Sequence, residues 1–344
     1  MDNPVRVAVI GVGALGKEHA RIYAGLAKSG LIDFTGVYDV SSQNARKISS
    51  KYKVKAFDKL EDAYGSADAL SVVTPTVTHF EITKDLLSSG KHVLVEKPMT
   101  DQTEKAQILN QLAHEFKCVL QVGHVERFNP VFRYLQDIIR HPRFIEIHRL
   151  SPYPARSTDI GVVLDLMIHD LDILMAFVKS PISAVDAVGI RVLSQSEDIA
   201  NARIRFENGC VANLTASRIS PERMRKIRVF SGGDLTSYVS LDYRAQEGFI
   251  YRIAREDESE SSILKKLLAS KDSKIVSEFG GKKIVREPVP LEKEEPLKTE
   301  LHSFIDCVKS RRSPLVSGTS AKQSLDLAFE ITKAIQKSEE SIPD

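Results

Sequence analysis

Short apolar runs alternate with amphipathic stretches through the first third of the chain. Val5–Ile10 reads as a strand, and a helix follows through Ile22, Leu26 and Leu31. Further strands are expected at Asp33–Asp39, Asp68–Val73, His92–Val95 and Cys118–Val122. Helices lie between them, one ending at Gly90 and another spanning Thr103–Phe116. Repeated strand–helix units predict a parallel, doubly wound sheet with right-handed crossovers over residues 1–123.

Past Gly123 the period changes. A helix runs through Phe132, Leu135 and Ile138–Ile139, then a strand at Phe144–Leu150 and a proline-punctuated loop, Ser151 to Arg156. Val162 to Val178 is helical, with Leu164, Ile168, Leu171 and Met175 as its apolar stripe. Asp165, His169 and Asp172 fall at i, i+4 and i+7 and share the opposite face. Strand-like runs follow at Ala184–Val192, Ala202–Phe206, Cys210–Ala216, Arg225–Phe230 and Leu235–Leu241. Asn208-Gly209 and Gly232-Gly233 mark hairpins, so this sheet is expected to be mostly antiparallel. One face must be covered by helices, and the other is expected to be open, apolar and suited to a homodimer or homotetramer. Arg255 to Glu260 reads as a charged loop, Ile263 to Leu268 as a short helix, and Glu287 to Pro296 as an extended linker. Two amphipathic helices close the chain, one from near Leu297 and one after Gly318, capped by Thr319 or Ser320. Residues 124–344 thus form a second, α+β domain, with its last helices packing back.

Composition narrows the classes. A length of 344 residues suits two domains, and 42% hydrophobic residues suffice for real cores. A net charge of +2 implies no field for nucleic acid. Cys118, Cys210 and Cys307 are far apart and show no metal spacing or disulfide framework, which fits the reducing cytoplasm. No apolar run is long enough to span a bilayer, and no signal peptide is read.

The first strand ends in Gly11-Val12-Gly13-Ala14-Leu15-Gly16. Gly11 permits a tight turn, Gly13 lets a pyrophosphate approach the backbone, and Gly16 lets helix and strand pack closely. Phosphate would rest on the helix N-terminus. Asp39 closes the second strand, about 20 residues on, where a carboxylate takes both hydroxyls of an adenosine ribose and repels a 2′-phosphate. NAD is therefore expected over NADP, with Arg46 a nearby arginine that could serve a 2′-phosphate. Val93-Leu94-Val95 runs straight into Glu96-Lys97-Pro98, so Lys97 stands at the carboxyl end of a buried strand, where open parallel sheets bind ligands. Thr74-Pro75 and Gly123-His124 end neighbouring strands on the same edge. A carboxylate one turn before an imidazole can fix its tautomer, so Asp165 and His169 are candidate proton-handling groups. A metal reading finds no second histidine or cysteine nearby, so no metal is expected.

These motifs together resemble the glucose–fructose oxidoreductase / inositol dehydrogenase / rhizopine catabolism (Gfo/Idh/MocA) superfamily over essentially the whole chain. The residues that carry the resemblance are Gly11–Gly16, Thr74-Pro75 with His79, Gly90-Lys91-His92 leading to Glu96-Lys97-Pro98, Gly161 to His169, and Gly318. Ile160 stands where the family often has a glycine. The resemblance implies a Rossmann domain and an NAD(P)-dependent dehydrogenase of a sugar, sugar nucleotide or cyclitol. It implies Lys97 as the catalytic lysine, with a cis bond to Pro98, and Asp165 and His169 as the substrate and proton-relay pair. Ala14, Leu15, Thr74, Pro75, His79, Glu96, Lys97 and His124 join the glycines and Asp39 as cofactor-binding residues, and Lys97 is expected at the substrate as well. The stretch Gly123 to Pro130 and the run Val162–Asp172 look most similar to UDP-N-acetylglucosamine 3-dehydrogenases, which implies oxidation of a 3-hydroxyl to a 3-keto sugar. Glu126, Arg127, Asn129 and Arg156 are then expected at the substrate, with Arg127, Arg149 and Arg156 the cations available to a diphosphate. The competing readings are a free-sugar or inositol-type dehydrogenase, a reductase of another substrate class on the same domains, and a non-catalytic dinucleotide-binding regulator.

Overall fold

The computed structural model describes residues 4–153, 160–232, 237–254, 274–279 and 282–340. Arg156, Gly233, the 255–260 loop and the 263–268 helix lie outside them. The chain divides into two compact units, one up to Phe128 with Glu295–Asp326, the other Asn129–Glu294 with the chain from Leu327 on.

The first unit is a six-stranded sheet in the order β3-β2-β1-β4-β5-β6. Its strands are β1 (Val5–Ile10), β2 (Ile32–Tyr38), β3 (Lys55–Ala56), β4 (Ala69–Val72), β5 (His92–Glu96) and β6 (Leu120–Gly123). All pairings are parallel. Helices α1 (Gly16–Lys28), α2 (Ser42–Tyr52), α3 (Leu60–Ser66), α4 (Thr76–Ser88) and α5 (Thr103–Glu115) form the crossovers. β1, β4 and β5 are buried on both sides and read as continuous apolar runs for that reason. A later helix, α8 (Pro296–Ser310), belongs to this unit. Its Leu301, Phe304, Ile305 and Val308 join a core with Val7, Val9, Tyr23 and Phe34. Each such fully buried side chain stabilises by about 1.5–3 kcal/mol, so α8 is part of the domain rather than an appendage.

The second unit holds α6 (Pro130–Ile138), α7 (Ile168–Val178) and a nine-stranded sheet ordered β14-β15-β13-β12-β11-β7-β10-β9-β8. The strands are β7 (Pro142–Leu150), β8 (Ile182–Ile190), β9 (Ile199–Phe206), β10 (Val211–Ser217), β11 (Met224–Ser231), β12 (Ser237–Asp242), β13 (Glu247–Ile253), β14 (Lys274–Phe279) and β15 (Lys282–Pro288). β7 and β10 pair in parallel, and the remaining described pairs are antiparallel. Asn208-Gly209 makes the expected turn, with Gly209 at φ +81°. Ile145, Ile147, Ile204, Leu214, Ile227, Val229 and Leu241 alternate onto the buried face. The other face is not simply apolar. Phe144, Phe230, Tyr238 and Tyr251 form a ladder across four strands with centroids 5.5, 4.6 and 5.0 Å apart, the first pair tilted and the other two stacked. Beside them Glu146, His148, Asn201, Arg203, Asn213 and Thr215 line a polar cavity of about 340 Å³.

Three expectations need correction. The run 287–296 is not all linker, since β15 extends to Pro288 within it. The last helix, α9 (Gly318–Glu340), is capped by neither Thr319 nor Ser320: Ser317 Oγ accepts the Ser320 N–H at 3.2 Å. The stretch from Val162 is not one amphipathic α-helix. Val163–Met167 is a π-helical turn leading into α7, and Asp172 is 1% exposed. The wider turn rotates residues before it against those after it, so Asp165 loses the α-helical facing expected toward His169 and Asp172, which both lie in α7. α7 is buried nearly all round, a setting in which helical periodicity loses its meaning.

Candidate functional site

In the first unit the candidate residues lie at the carboxyl edge of the parallel sheet. Gly11 at φ +85° turns the chain, and a Cβ there would strike the Val73 carbonyl. A Cβ at Gly16 would strike the Gly11 carbonyl, so the helix start can touch the turn only with glycine at 16. Around Gly13 a Cβ would meet nothing within 4 Å. This open side is a cradle of the kind a dinucleotide pyrophosphate requires, with α1 starting at Gly16 behind it. Ala14 and Leu15 are exposed on the same loop. Asp39 follows β2, and its Oδ2 accepts the Val12 N–H and its Oδ1 the Ser41 N–H, both at 2.8 Å. Sequence reasoning placed Asp39 at the ribose but missed that it also fastens the glycine loop.

Thr74 and Pro75 follow β4, and Glu96-Lys97-Pro98 ends β5 beside it. His79 is buried between these strand ends: Nδ1 lies 2.9 Å from the Pro98 carbonyl and Nε2 2.9 Å from the Thr74 carbonyl. Its ring staples β4 to β5. Burial pushes its pKa down, against the pull of the two carbonyls. The Lys97–Pro98 peptide is cis, and Lys97 is partly exposed while Glu96 and Pro98 are buried. Glu96 Oε1 meets His19 Nε2 at 3.1 Å, and its carboxyl group occupies the space a side chain at Gly123 would need. His19 is fully buried on α1 and was not singled out from the sequence. It joins the glycine-loop helix to the strand end that carries Lys97. His124 is buried, and the 3₁₀ turn Val125–Phe128 buries Glu126 and Arg127. Arg127 Nη2 is 3.5 Å from the Leu315 carbonyl.

In the second unit Asn129 caps α6. Its Oδ1 accepts the Val131 N–H at 3.1 Å and its Nδ2 donates to the Tyr243 carbonyl at 3.0 Å. Asp165 lies in the π-helical turn and His169 in the first turn of α7, both partly exposed. Arg149 is not a spare cation for a diphosphate. It is buried, and it grips Asp170 through Nε and Nη2, both at 2.8 Å. A strand arginine facing a helix acid leaves no local sequence signature, which is why this pair was missed. Among the described residues no group of three His, Cys, Asp or Glu is placed to hold a metal ion, and no helix is long and apolar enough to cross a membrane.

Residues 5–124 match the Gfo/Idh/MocA oxidoreductase family model, NAD-binding Rossmann fold, and residues 139–233 match the Gfo/Idh/MocA C-terminal domain. A UDP-N-acetylglucosamine 3-dehydrogenase of Acidithiobacillus ferrooxidans is 32% identical over 333 residues, covering 96% of this chain and 97% of that protein. Its crystal structure superposes with a TM-score of 0.83 over 97% of this chain and 98% of its own. An NAD(+)-dependent scyllo-inositol 2-dehydrogenase of Bacillus subtilis is 25% identical over 98% of this chain and 95% of its own. An NAD-binding protein of Listeria innocua, 21% identical over 97% of this chain and 96% of its own, shares the fold at a TM-score of 0.77. With both halves matched, the chain belongs to the Gfo/Idh/MocA family of NAD-binding oxidoreductases.

Proposed function

We propose that the protein oxidises the 3-hydroxyl of UDP-N-acetylglucosamine, or of a related UDP-sugar, to the 3-keto sugar. The observation that carries this reading is the 32% identity to a UDP-N-acetylglucosamine 3-dehydrogenase along nearly all of both chains, substrate half included. NAD, when bound, supplies the hydride acceptor. Gly11, Gly13, Gly16 and Asp39 would hold it, and the exposed side chains of Leu15, Val40 and Val77 offer apolar surface for an adenine. NAD is preferred to NADP because Asp39 stands where a 2′-phosphate would bring like charge.

The chain's own work is to hold the carbinol oxygen and take its proton. Lys97 donates to that oxygen, His169 accepts the proton, and Asp165 orients His169. Lys97 and His169 act as one coupled unit. Arg127 and Arg156 are the proposed cations for the diphosphate, and Glu126 lies next to Arg127 in the same turn. The amide of Asn129 is engaged at both ends within the chain, so its contribution is to shape the turn after Arg127.

The aromatic ladder on the outer face of the large sheet suits a second copy of the chain, and we place the assembly in the cytoplasm as a homodimer or homotetramer. A cyclitol is the second reading, favoured by the inositol dehydrogenase relative. Nicotinamide absorbance with UDP-N-acetylglucosamine, other UDP-sugars, free sugars and inositols separates the two. Turnover confined to inositols overturns the UDP-sugar reading, and turnover of nothing in the panel favours a regulator. Light scattering gives the subunit count.

A further inference from the structure

The turn that carries Asp165 is held by residues far from it in sequence. The first N–H groups of a helix have no partner within it. Here Val162 N–H donates to the Glu197 carbonyl at 2.9 Å, and Val163 N–H donates to the Glu197 side chain, Oε1, at 3.2 Å. Asp165 N–H donates to the Gly161 carbonyl at 3.0 Å. A Cβ at Gly161 would collide with the Glu197 carboxylate, so the glycine exists to admit this acid. The Ile160 carbonyl accepts from Arg218 Nη1 at 2.7 Å.

Arg218 and Asp198 are both fully buried, paired at 2.8 Å from Nε to Oδ1. Asp198 Oδ2 also accepts the N–H groups of Val192, Leu193 and Ser194 at 2.9, 2.6 and 3.0 Å. Burial would raise its pKa, but these N–H donors and Arg218 outweigh that and hold it far below the usual carboxylate range. The loop that ends in Glu197 is therefore clamped next to the turn. A buried ion pair adds little stability over apolar packing of the same shape. What this one does is fix the position of two chain segments, 160–163 and 192–198.

We infer that Glu197, anchored by the Asp198–Arg218 pair, is a positioning residue that maintains the π-helical turn and so sets the direction of Asp165 toward the substrate. The inference rests on the reading of Asp165 and His169 given above. The π-helical turn is the less stable form and persists where something outside it takes up its end groups. Relaxed into an α-helix, the turn would swing Asp165 about the axis by roughly the rotation of one residue, ~100°.

Three full-length variants test it: Glu197→Asp, Glu197→Gln and His169→Ala. Glu197→Asp keeps the charge and withdraws the acceptor by one methylene. Glu197→Gln loses the charge and keeps the acceptor. The expected result is a kcat on UDP-N-acetylglucosamine lowered at least 10-fold in Glu197→Asp and within threefold of wild type in Glu197→Gln. The dinucleotide Kd should stay within twofold in both. Amide hydrogen exchange at 162–165 should speed at least 10-fold in Glu197→Asp alone, a readout independent of substrate. The reverse ranking, with Glu197→Gln slow and Glu197→Asp normal, overturns the inference, as does unchanged exchange in Glu197→Asp. His169→Ala turning over within threefold of wild type defeats the reading of the site itself. His169→Ala inactive beside a normal Glu197→Asp defeats only the positioning role.

Discussion

Asp39 accepts the backbone N–H of Val12 at 2.8 Å, so the end of β2 is tied to the middle of the glycine loop. The acid does two jobs: it shapes the loop and sets charge where the ribose would lie. Asp39→Ala removes both. NAD affinity should fall about 10-fold, equivalent to about 1.4 kcal/mol. NADP, freed from like-charge repulsion, should fall less or rise. Titration calorimetry with each dinucleotide gives the ratio, and an unmoved ratio removes Asp39 from the ribose.

Lys97 stands at the end of β5, where the buried strand gives way to partly exposed chain. Lys97→Ala should lower kcat about 100-fold or more, the scale of acid–base groups. The dinucleotide Kd should stay within about threefold of wild type, since the groups proposed to hold it are elsewhere (1.4 kcal/mol being tenfold). Steady-state kinetics beside a binding titration separates the two effects. Wild-type turnover would take Lys97 out of the chemistry.

His92, at the start of β5, has both ring nitrogens facing donors. Nδ1 accepts the Val119 N–H at 2.9 Å and Nε2 faces Arg311 Nη1 at 2.6 Å. Burial, with Arg311 adding to it, pushes its pKa down to about 4. The unfolded chain takes up this proton near pH 6.5. Between about 6.5 and about 4 the unfolded state binds more protons, so stability falls as pH falls through that window and is complete above it. Buried His79 adds in the same direction. Urea unfolding at pH 7.5 and pH 5 should show a larger loss in wild type than in His92→Gln, which keeps an acceptor but does not titrate. Equal losses would assign the acid sensitivity elsewhere.

The parallel sheet was legible because β1, β4 and β5 are buried on both faces and each ends in a residue that must be there. Gly11, Thr74-Pro75 and Lys97-Pro98 announce themselves without any partner. Two-residue β3 carries no period to detect, and of the outer strands of the large sheet only the end of β15 falls in a stretch, Glu287 to Pro296, whose prolines and acids read as linker. The second unit hid its site for another reason. Asp165 and His169 stand out as a local pattern, but the Glu197 contacts to Val162 and Val163 and the Arg218 contact to Ile160 reach that turn from other elements. Their spacing in sequence is set by topology, not by helix or strand geometry. The π-helical turn was equally invisible, since one extra residue in a turn alters facing without altering composition.

Arg149 and Asp170 close the account of buried charge beside His169. The side chains are 4% and 3% exposed, so solvent does little to screen either. Removing one partner leaves the other buried without the charge it is paired with here. Asp170→Asn should cost about 3–5 kcal/mol, and Arg149→Met a similar amount. The double variant Arg149→Met with Asp170→Leu should recover much of the loss, because both desolvation penalties disappear together. Non-additivity in a double-mutant cycle, read from urea midpoints, measures this directly. Activity should divide differently: the double variant regains stability but not kcat if the pair also sets the rotation of α7 beneath His169. Full recovery of both would make the pair a matter of stability alone.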